Sequence, residues 1–336
     1  MSIDKSNMWQ KLLDFPSQIK EAVEIAKGIN FKQQVYGNII FSGMGGSAIA
    51  GELLKDYLSK EIKTPIFVNR DYFLPNFVDK SSLLFINSYS GNTEETLSAY
   101  EEAKKKKACL IIISSDGELS RKAEKDGFLF IPIPSGLPPR TALAYSFFIP
   151  LILFSQSKMI SEKKEDLRET ISLLEKIRKE IAVEKENSAK KLASSFLGKF
   201  VVIYTSLSFA AAAIRLKQQL AENSKTLSTV NFLPEMNHNE IVGWEFPNSI
   251  KNFIVIFLRD REEYIRINRR IEISKEIIKE KAEILEIWSR GECLLARTFS
   301  MIYTGDFISY HLALLNNVDP TPVEKIDYLK KQLANR

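Results

Sequence analysis

The chain has 336 residues, of which 45% are apolar and 26% are charged, and its formal net charge is +5. This composition is typical of a globular protein that buries a core without disulfides or a structural metal. The charge is mild, and no stripe of Arg and Lys interleaved with aromatic residues appears. Both observations argue against a nucleic-acid-binding protein and favour small anionic ligands.

The chain shows no sign of export or membrane insertion. Its first residues, MSIDKSNMWQ, lack an apolar signal-peptide core, and no run approaches the ~18 apolar residues of a membrane span. Cys109 and Cys293 lie in apolar stretches without metal-ligand spacing, which predicts buried free thiols. These features favour a cytoplasmic protein.

In the first half, short apolar runs alternate with helical patterns. Two helices are predicted at AIAGELLKDYL and TEETLSAYEEAKKKK. Strands are predicted at VYGNIIFSGMG, PIFVNR, LLFINSYSG, CLIIISS and FLFIPIP. The alternation indicates a parallel sheet with right-handed crossovers.

The second half repeats this organisation after one long charged helix, predicted from Ser161 to Leu197. Strands are predicted at KFVVIYTS, NFIVIFLRD and AEILEIWS, with helices at SFAAAAIRLKQQLAENSK and RINRRIEISKEIIKEK. Two further helices are predicted from Glu292 to Leu315 and from Pro322 onward. We therefore expect an α/β protein of two domains, 1–155 and 156–336, each a mostly parallel sheet flanked by helices.

The segment FSGMGGSAIAGELL places glycines and Ser47 between a strand and a helix. Glycine permits close backbone approach, and a helix N-terminus offers free N–H groups to an anion. A dinucleotide site is disfavoured, because the glycine spacing differs and the only acidic residue after the next strand is Asp71. A plain glycine-rich turn between strand and helix remains an alternative.

A second loop, FINSYSGNTEETLSAY, also joins a strand to a helix and contains several hydroxyl groups. Hydroxyls near a helix N-terminus donate to phosphate oxygens, and the absence of a P-loop lysine favours a compact monoester. The segment TSLSFAAAAIR in the second half lacks such glycines, so only the first domain is predicted to bind phosphate. The predicted phosphate-binding residues are Gly46, Ser47, Ser88, Ser90 and Thr93.

These segments carry a family resemblance. GMGGSAIAG and SYSGNTEET resemble the sugar isomerase (SIS) domain of phosphosugar enzymes. SGLPPRTALAYSF, ENSK, PEMNHNEIVGW and DPTPVEKIDYLK resemble the bifunctional phosphoglucose/phosphomannose isomerase family, over a span from about Phe41 to Lys330. The resemblance implies two SIS domains, a homodimer, and interconversion of glucose 6-phosphate, and also mannose 6-phosphate, with fructose 6-phosphate. No metal-ligand constellation is visible, so neither a metal nor another cofactor is expected.

The resemblance also implies roles for individual residues. Glu222 would be the base that moves a proton between C2 and C1. His238, contributed by the neighbouring subunit, would open the sugar ring. Arg140 would stabilise the enediolate, with Pro139 beside it at the substrate.

The resemblance further implies an active-site lysine in the last helix. Lys330 shares the apolar side of the predicted helix with Val323 and Ile326, so it is preferred to Lys325. The resemblance also implies a threonine that allows the mannose epimer to bind, for which Thr321 is the candidate, and Thr321 is predicted to bind substrate.

Two other functions remain open at this point. One is isomerisation of another phosphosugar, such as an amino sugar. The other is a non-catalytic phosphosugar sensor, although the roughly forty residues before Phe41 are too few for a helix-turn-helix domain and carry little positive charge.

Overall fold

The structure, a computed structural model, describes residues 3–32, 34–183, 187–245 and 252–334. Two helices precede the first sheet, and the strands of that sheet alternate with helices. In chain order these elements are α1 (Met8–Leu13), α2 (Phe15–Lys27), β1 (Asn38–Ser42), α3 (Gly45–Leu58), β2 (Ile66–Asn69), β3 (Ser82–Asn87), α4 (Glu94–Lys105), β4 (Cys109–Ser114), α5 (Glu118–Asp126) and β5 (Leu129–Pro132).

The second sheet follows a group of three helices. The elements are α6 (Leu143–Gln156), α7 (Lys164–Val183), α8 (Ser188–Phe196), β6 (Phe200–Ser206), α9 (Ala210–Glu222), β7 (Ser228–Leu233), β8 (Phe253–Arg259), α10 (Ile265–Ile278), β9 (Glu283–Trp288), α11 (Leu294–Leu315) and α12 (Glu324–Ala334).

Both sheets are parallel, with strand orders β2-β1-β3-β4-β5 and β7-β6-β8-β9. In each sheet the second strand along the chain lies on one side of the first strand, and the later strands lie on its other side. Ligands of such folds bind where strand order reverses, at the carboxyl ends of the strands. In the first sheet this point lies between β1 and β3. The predicted α/β class with two mostly parallel sheets is confirmed.

The predicted strands are present, but the single long helix from Ser161 to Leu197 is wrong. α7 ends at Val183, and a new helix begins at Ser188, where the side chain of Asn187 accepts a hydrogen bond from the Lys190 N–H. Asparagine is a strong N-cap residue because its side chain satisfies an otherwise free backbone donor. β7 and α5, and the helices before β1, were not predicted.

One continuous apolar cluster joins the two halves. It contains Phe41 and Phe85 of the first sheet, Ile203 and Ile256 of the second, and most of α6 and α11. Phe147, on α6, packs against Phe299 on α11 with ring centroids 4.8 Å apart. The facing layers of the two domains therefore share a core, which fixes α9 relative to the segment that contains Arg140.

The other face of each sheet has a smaller core of its own. α4 and α5 cover the first sheet, with Tyr100 and Leu119 buried, and α10 covers the second with Ile271 and Ile278. Both cysteines are free thiols but are only half-buried, so their predicted full burial is wrong. None of the described helices combines the length and apolarity needed to cross a lipid bilayer.

Candidate active site

The N-termini of α3 and α4 lie at the reversal point of the first sheet, and neither has a side-chain cap. Met44 precedes α3 and cannot cap it through an oxygen, and Thr93 precedes α4 without making a capping hydrogen bond. β1 and β3 are neighbours, so both helix N-termini open at the same edge. This edge therefore presents two uncapped, electropositive helix ends to an anion.

The predicted phosphate residues lie on these two loops. The Asn87 side chain donates to the Ser47 carbonyl at 3.5 Å, which links the loops. The Ser88 and Thr93 hydroxyls are 2.9 Å apart, and Ser47 is buried with no hydrogen bond from its hydroxyl to any described residue. Ser90 is exposed at the rim, where its hydroxyl accepts from the Asn92 N–H at 3.3 Å.

A third loop, which sequence reasoning missed, supports the second. Gly91 has a φ of +65°, and a Cβ there would meet the Asp116 carbonyl oxygen at 1.8 Å. The Asn92 side chain accepts from the Glu118 N–H at 2.9 Å. The Asp-Gly pair after β4, typical of a tight turn, was the available signal for this contact.

Arg140 lies at the boundary of the two halves and is only 3% exposed. Its Nε donates to Asn223 Oδ1 at 2.6 Å, and its Nη2 donates to the carbonyl oxygens of Pro320 and Thr321 at 2.6 and 2.8 Å. Nη1 faces Glu222 Oε2 at 3.5 Å. Burial lowers the pKa of Arg140, and the nearby Glu222 carboxylate opposes that change. The N–H groups at Nε and Nη2 donate to neutral oxygens. The remaining edge of the guanidinium, at Nη1, faces Glu222.

The loop that contains Gly46 touches the Arg140 segment directly. A Cβ on Gly46 would meet the Pro139 carbonyl oxygen at 3.2 Å and the Arg140 Cα at 3.3 Å. The structure thus brings Gly46, Pro139, Arg140 and Glu222 into one continuous site.

Glu222 ends α9 and opens onto a cavity of about 610 Å³. Its side chain is 26% exposed, so it is accessible while close to Arg140. Lys225 donates to the carbonyl oxygens of Glu222 and Pro322. Partial burial of its ammonium group, followed by the charge of Arg140, lowers the pKa of Lys225. Lys325 also lines the cavity.

Two of the predicted site residues lie apart from this group. His238 ends a short 3₁₀ turn (Glu235–His238), is exposed, and does not line the cavity. The expectation that Lys330 faces inward is wrong for the single chain, because α12 has no buried residue. The apolar side of that helix faces solvent, and Lys330 is exposed with it.

Thr321 does lie beside Arg140. Its carbonyl accepts from the guanidinium, its N–H donates to Asp319 Oδ1 at 2.9 Å, and its buried hydroxyl has no partner among the described residues. Sequence reasoning missed Asn223 and Lys225, although both lie in the quoted ENSK segment. Their roles depend on distant partners, so the segment alone gave no signal for them.

Comparisons with known proteins agree with this arrangement. Residues 34–156 match the SIS domain model, and residues 185–333 match the model described as bacterial phospho-glucose isomerase C-terminal SIS domain. The predicted pair of SIS domains is confirmed, whereas the exact boundary between them stays a prediction.

Two curated relatives have the same description, bifunctional phosphoglucose/phosphomannose isomerase. The protein from Caldicellulosiruptor bescii is 44% identical over 97% of this chain and 99% of its own length. The protein from Thermoplasma acidophilum is 38% identical over 91% of this chain and 92% of its own. A solved structure of a hypothetical protein from Thermus thermophilus is 14% identical, with a TM-score of 0.76 over 96% of this chain and 89% of that one. This last similarity shows the fold alone.

Proposed function

The chain belongs to the bifunctional phosphoglucose/phosphomannose isomerase family, and on that premise we propose that it interconverts glucose 6-phosphate and mannose 6-phosphate with fructose 6-phosphate. It is then an aldose–ketose isomerase, an intramolecular oxidoreductase. The observation that supports this most is the Arg140–Glu222 pair, whose closest atoms are 3.5 Å apart at the mouth of a cavity. A carboxylate and a fixed cation at that separation suit proton transfer through a charged intermediate.

In this proposal the substrate phosphate binds to Gly46, Ser47, Ser88, Ser90 and Thr93. The uncapped N-termini of α3 and α4 add backbone donors at the same edge. Holding the phosphate there fixes the other end of the sugar relative to the Arg140 segment, because Gly46 touches that segment. Binding energy from the phosphate thereby orients the reacting carbons.

Glu222 performs the proton transfer. Its carboxylate accepts the C2 proton of the open-chain aldose and returns it to C1, while the O2 hydroxyl proton passes to O1. The cis-enediolate formed between these steps has a negatively charged oxygen. The free Nη1 edge of Arg140 stabilises that charge, and its permanently charged planar group needs no proton transfer of its own.

His238 opens the sugar ring from the neighbouring subunit of a homodimer. Its exposed position, away from the Glu222 cavity of its own chain, is compatible with this role. Lys330 is also assigned to the site, and its exposed position on α12 is compatible with this role. Lys325, which lines the cavity of its own chain, is the alternative lysine. Thr321, with its unpartnered hydroxyl near Arg140, and Pro139 contact the sugar.

The function is tested by incubating purified protein with fructose 6-phosphate and quantifying both aldose products. We expect glucose 6-phosphate and mannose 6-phosphate to form, including after treatment with a chelator. The reaction would place the protein in cytoplasmic glycolysis and gluconeogenesis. Products from another phosphosugar only, or binding without turnover, would support the two alternatives and contradict the proposal.

Glu222→Gln is the most direct variant. The amide keeps the size of the side chain but cannot act as a base, so we expect kcat to fall at least ~10²-fold while the fold is retained. Glu124→Gln, at an exposed position on α5, is the matched control and should leave kcat unchanged. Near-normal turnover in Glu222→Gln would remove Glu222 from the mechanism.

A further inference from the structure

A closed ring of buried polar groups surrounds Arg140. Arg215 donates through Nη2 to the Arg140 carbonyl at 3.0 Å and to Asp306 Oδ2 at 2.7 Å. The Asp306 carbonyl accepts from the Ser309 hydroxyl at 2.7 Å, and Ser309 Oγ accepts from Asn223 Nδ2 at 2.9 Å. The Asn223 oxygen then accepts from Arg140 Nε at 2.6 Å, which closes the ring.

Every member of this ring is buried: Arg215, Asp306, Asn223, Ser309 and Arg140 are each between 0 and 3% exposed. Buried polar groups without partners are costly, so each hydrogen bond constrains the next. The ring joins the first domain, through Arg140, to α9 and α11 of the second.

The hydrogen-bond directions leave little freedom. Ser309 donates its single hydroxyl hydrogen to the Asp306 carbonyl, so toward Asn223 it can only accept. Asn223 must therefore present its NH₂ group to Ser309 and its oxygen to Arg140. Ser309, which makes no hydrogen bond to Arg140, thus fixes which atom of Asn223 the guanidinium meets.

The ring also ties Arg140 to Glu222. Arg215 and Glu222 lie seven residues apart on α9, about two helical turns, and therefore on the same face of that helix. Arg215 holds the Arg140 backbone, whereas Glu222 faces the Arg140 guanidinium. One rigid helix consequently sets both ends of the arginine relative to the carboxylate.

We propose that Arg215, Asp306, Ser309 and Asn223 form a positioning network that holds Arg140 in register with Glu222. This inference rests on the proposed function for its kinetic consequence, and on the ring of contacts alone for its structural one. Within the described part of the chain, the hydrogen bonds of these four residues do not involve the proposed phosphate-binding residues, and none of the four lines the Glu222 cavity. Its disruption should therefore weaken stabilisation of the enediolate and leave substrate binding nearly unchanged.

The kinetic test uses Ser309→Ala and Asn223→Ala with fructose 6-phosphate as substrate. We expect kcat to fall about 3- to 10-fold for Ser309→Ala and about 10- to 100-fold for Asn223→Ala, as for loss of a group that orients charge in the transition state. KM should stay within about two-fold, because phosphate binding is not involved. Unchanged kcat in both folded variants, or a rise in KM alone, would overturn the proposal.

A double-mutant cycle separates positioning from general destabilisation. In an Arg140→Lys background, Asn223→Ala should have little further effect on kcat, because the group that it orients is gone. Full additivity would show that Asn223 acts in some other way and would overturn the proposal. Asp260→Asn is the control. It weakens a different ion pair, in which Oδ1 of the buried Asp260 lies 3.0 Å from Nε of Arg297 on the first turn of α11. It should lower the melting temperature without changing kcat.

Crystal structures of the wild type and of Asn223→Ala provide a readout that does not need turnover. A guanidinium of Arg140 displaced by about 1 Å or more, enough to affect catalysis, would support the network. An unmoved guanidinium would overturn it. If the wild type proves inactive on fructose 6-phosphate, the proposed function fails, while this comparison still decides whether the network positions Arg140.

Discussion

At the scale of single residues, Gly46 links the proposed phosphate-binding loop to the proposed catalytic residues. It lies at the start of α3, and its Cα faces the backbone of Pro139 and Arg140 with little room for a side chain. A methyl group there would meet atoms at 3.2 and 3.3 Å, closer than most carbon contacts allow. The neighbouring backbone, rather than a flexible side chain, would have to move.

We therefore expect Gly46→Ala to lower kcat about 10-fold, since small displacements of a catalytic group are costly. The melting temperature should change little. Gly28→Ala, where a Cβ has ordinary contact at 3.5 Å, is the control and should leave both quantities unchanged. Steady-state kinetics and thermal unfolding check the pair, and full activity in Gly46→Ala would show that the contact has no catalytic role.

The sequence identified residues with recognisable motifs but not those that support them. Glu222 and Arg140 lie in segments that resemble a family, and the structure places their side chains together. Asn223 and Asp306 are 83 and 91 residues from the arginines that they contact, so no local pattern connects them. The one available signal was Asp306 itself, a charge in the middle of an apolar helix that requires a buried partner.

At the scale of elements, α3 and α9 follow the first strand of their respective sheets but differ at their N-termini. That of α3 is uncapped, whereas at α9 the Ala211 N–H donates to Asp56 Oδ2 at 2.9 Å. Asp56 belongs to α3, so a carboxylate from the first domain occupies the end of the equivalent helix in the second. This agrees with the prediction that only the first domain binds phosphate.

Burial raises the pKa of Asp56 to about 6, with the Ala211 N–H opposing the rise and Glu52 adding to it. The folded protein thus holds this proton more tightly than the unfolded chain. The contribution of Asp56 to the free energy of unfolding is present at low pH and is lost as pH rises from about 4 to about 6. A shift of this size corresponds to no more than about 3 kcal/mol.

Asp56→Asn should abolish this dependence, because an amide can still accept from the Ala211 N–H but does not ionise. Urea unfolding of both proteins between pH 4.5 and pH 8 checks it. We expect the wild type to lose stability relative to the variant as pH rises. A difference between the two proteins that is independent of pH would contradict the assignment.

Strands were predicted better than helix boundaries. Strands such as β3 are buried on both faces and contain a continuous apolar run, here LLFI, which makes them easy to recognise. β7, with the sequence STVNFL, is a mostly half-buried edge strand, so its pattern is weak. The break before α8 depends on Asn187, whose capping preference was outweighed by the long run of charged residues.

At the scale of the whole molecule, α12 packs incompletely, since none of its residues is buried in the single chain. Ile326, Leu329 and Leu333 form an apolar stripe and are 41, 58 and 48% exposed. A helix of 11 residues is marginal in water unless its apolar face is covered. The proposed homodimer offers a cover, although the sequence could not indicate which surface receives the helix.

Leu329→Lys should accordingly weaken the dimer and shift the protein toward monomer at micromolar concentration. Light scattering after size-exclusion chromatography measures this shift, and activity should fall with it if His238 acts across the interface. Asp327→Asn makes the same change in net charge off the stripe and should remain dimeric. A wild-type protein that is monomeric at all concentrations would contradict the homodimer.

The neutral hydrogen-bond acceptors of the Arg140 guanidinium have a consequence for the reaction itself. Three of its N–H groups donate to uncharged oxygens, and the carboxylate of Glu222 faces its Nη1. In the proposed reaction Glu222 becomes neutral when it takes the proton, and the sugar becomes negative in the same step. The negative charge moves from Glu222 to the sugar, and both face the arginine. The net charge of the pocket therefore stays constant along the reaction coordinate. The surrounding dipoles then need little rearrangement as the proton moves.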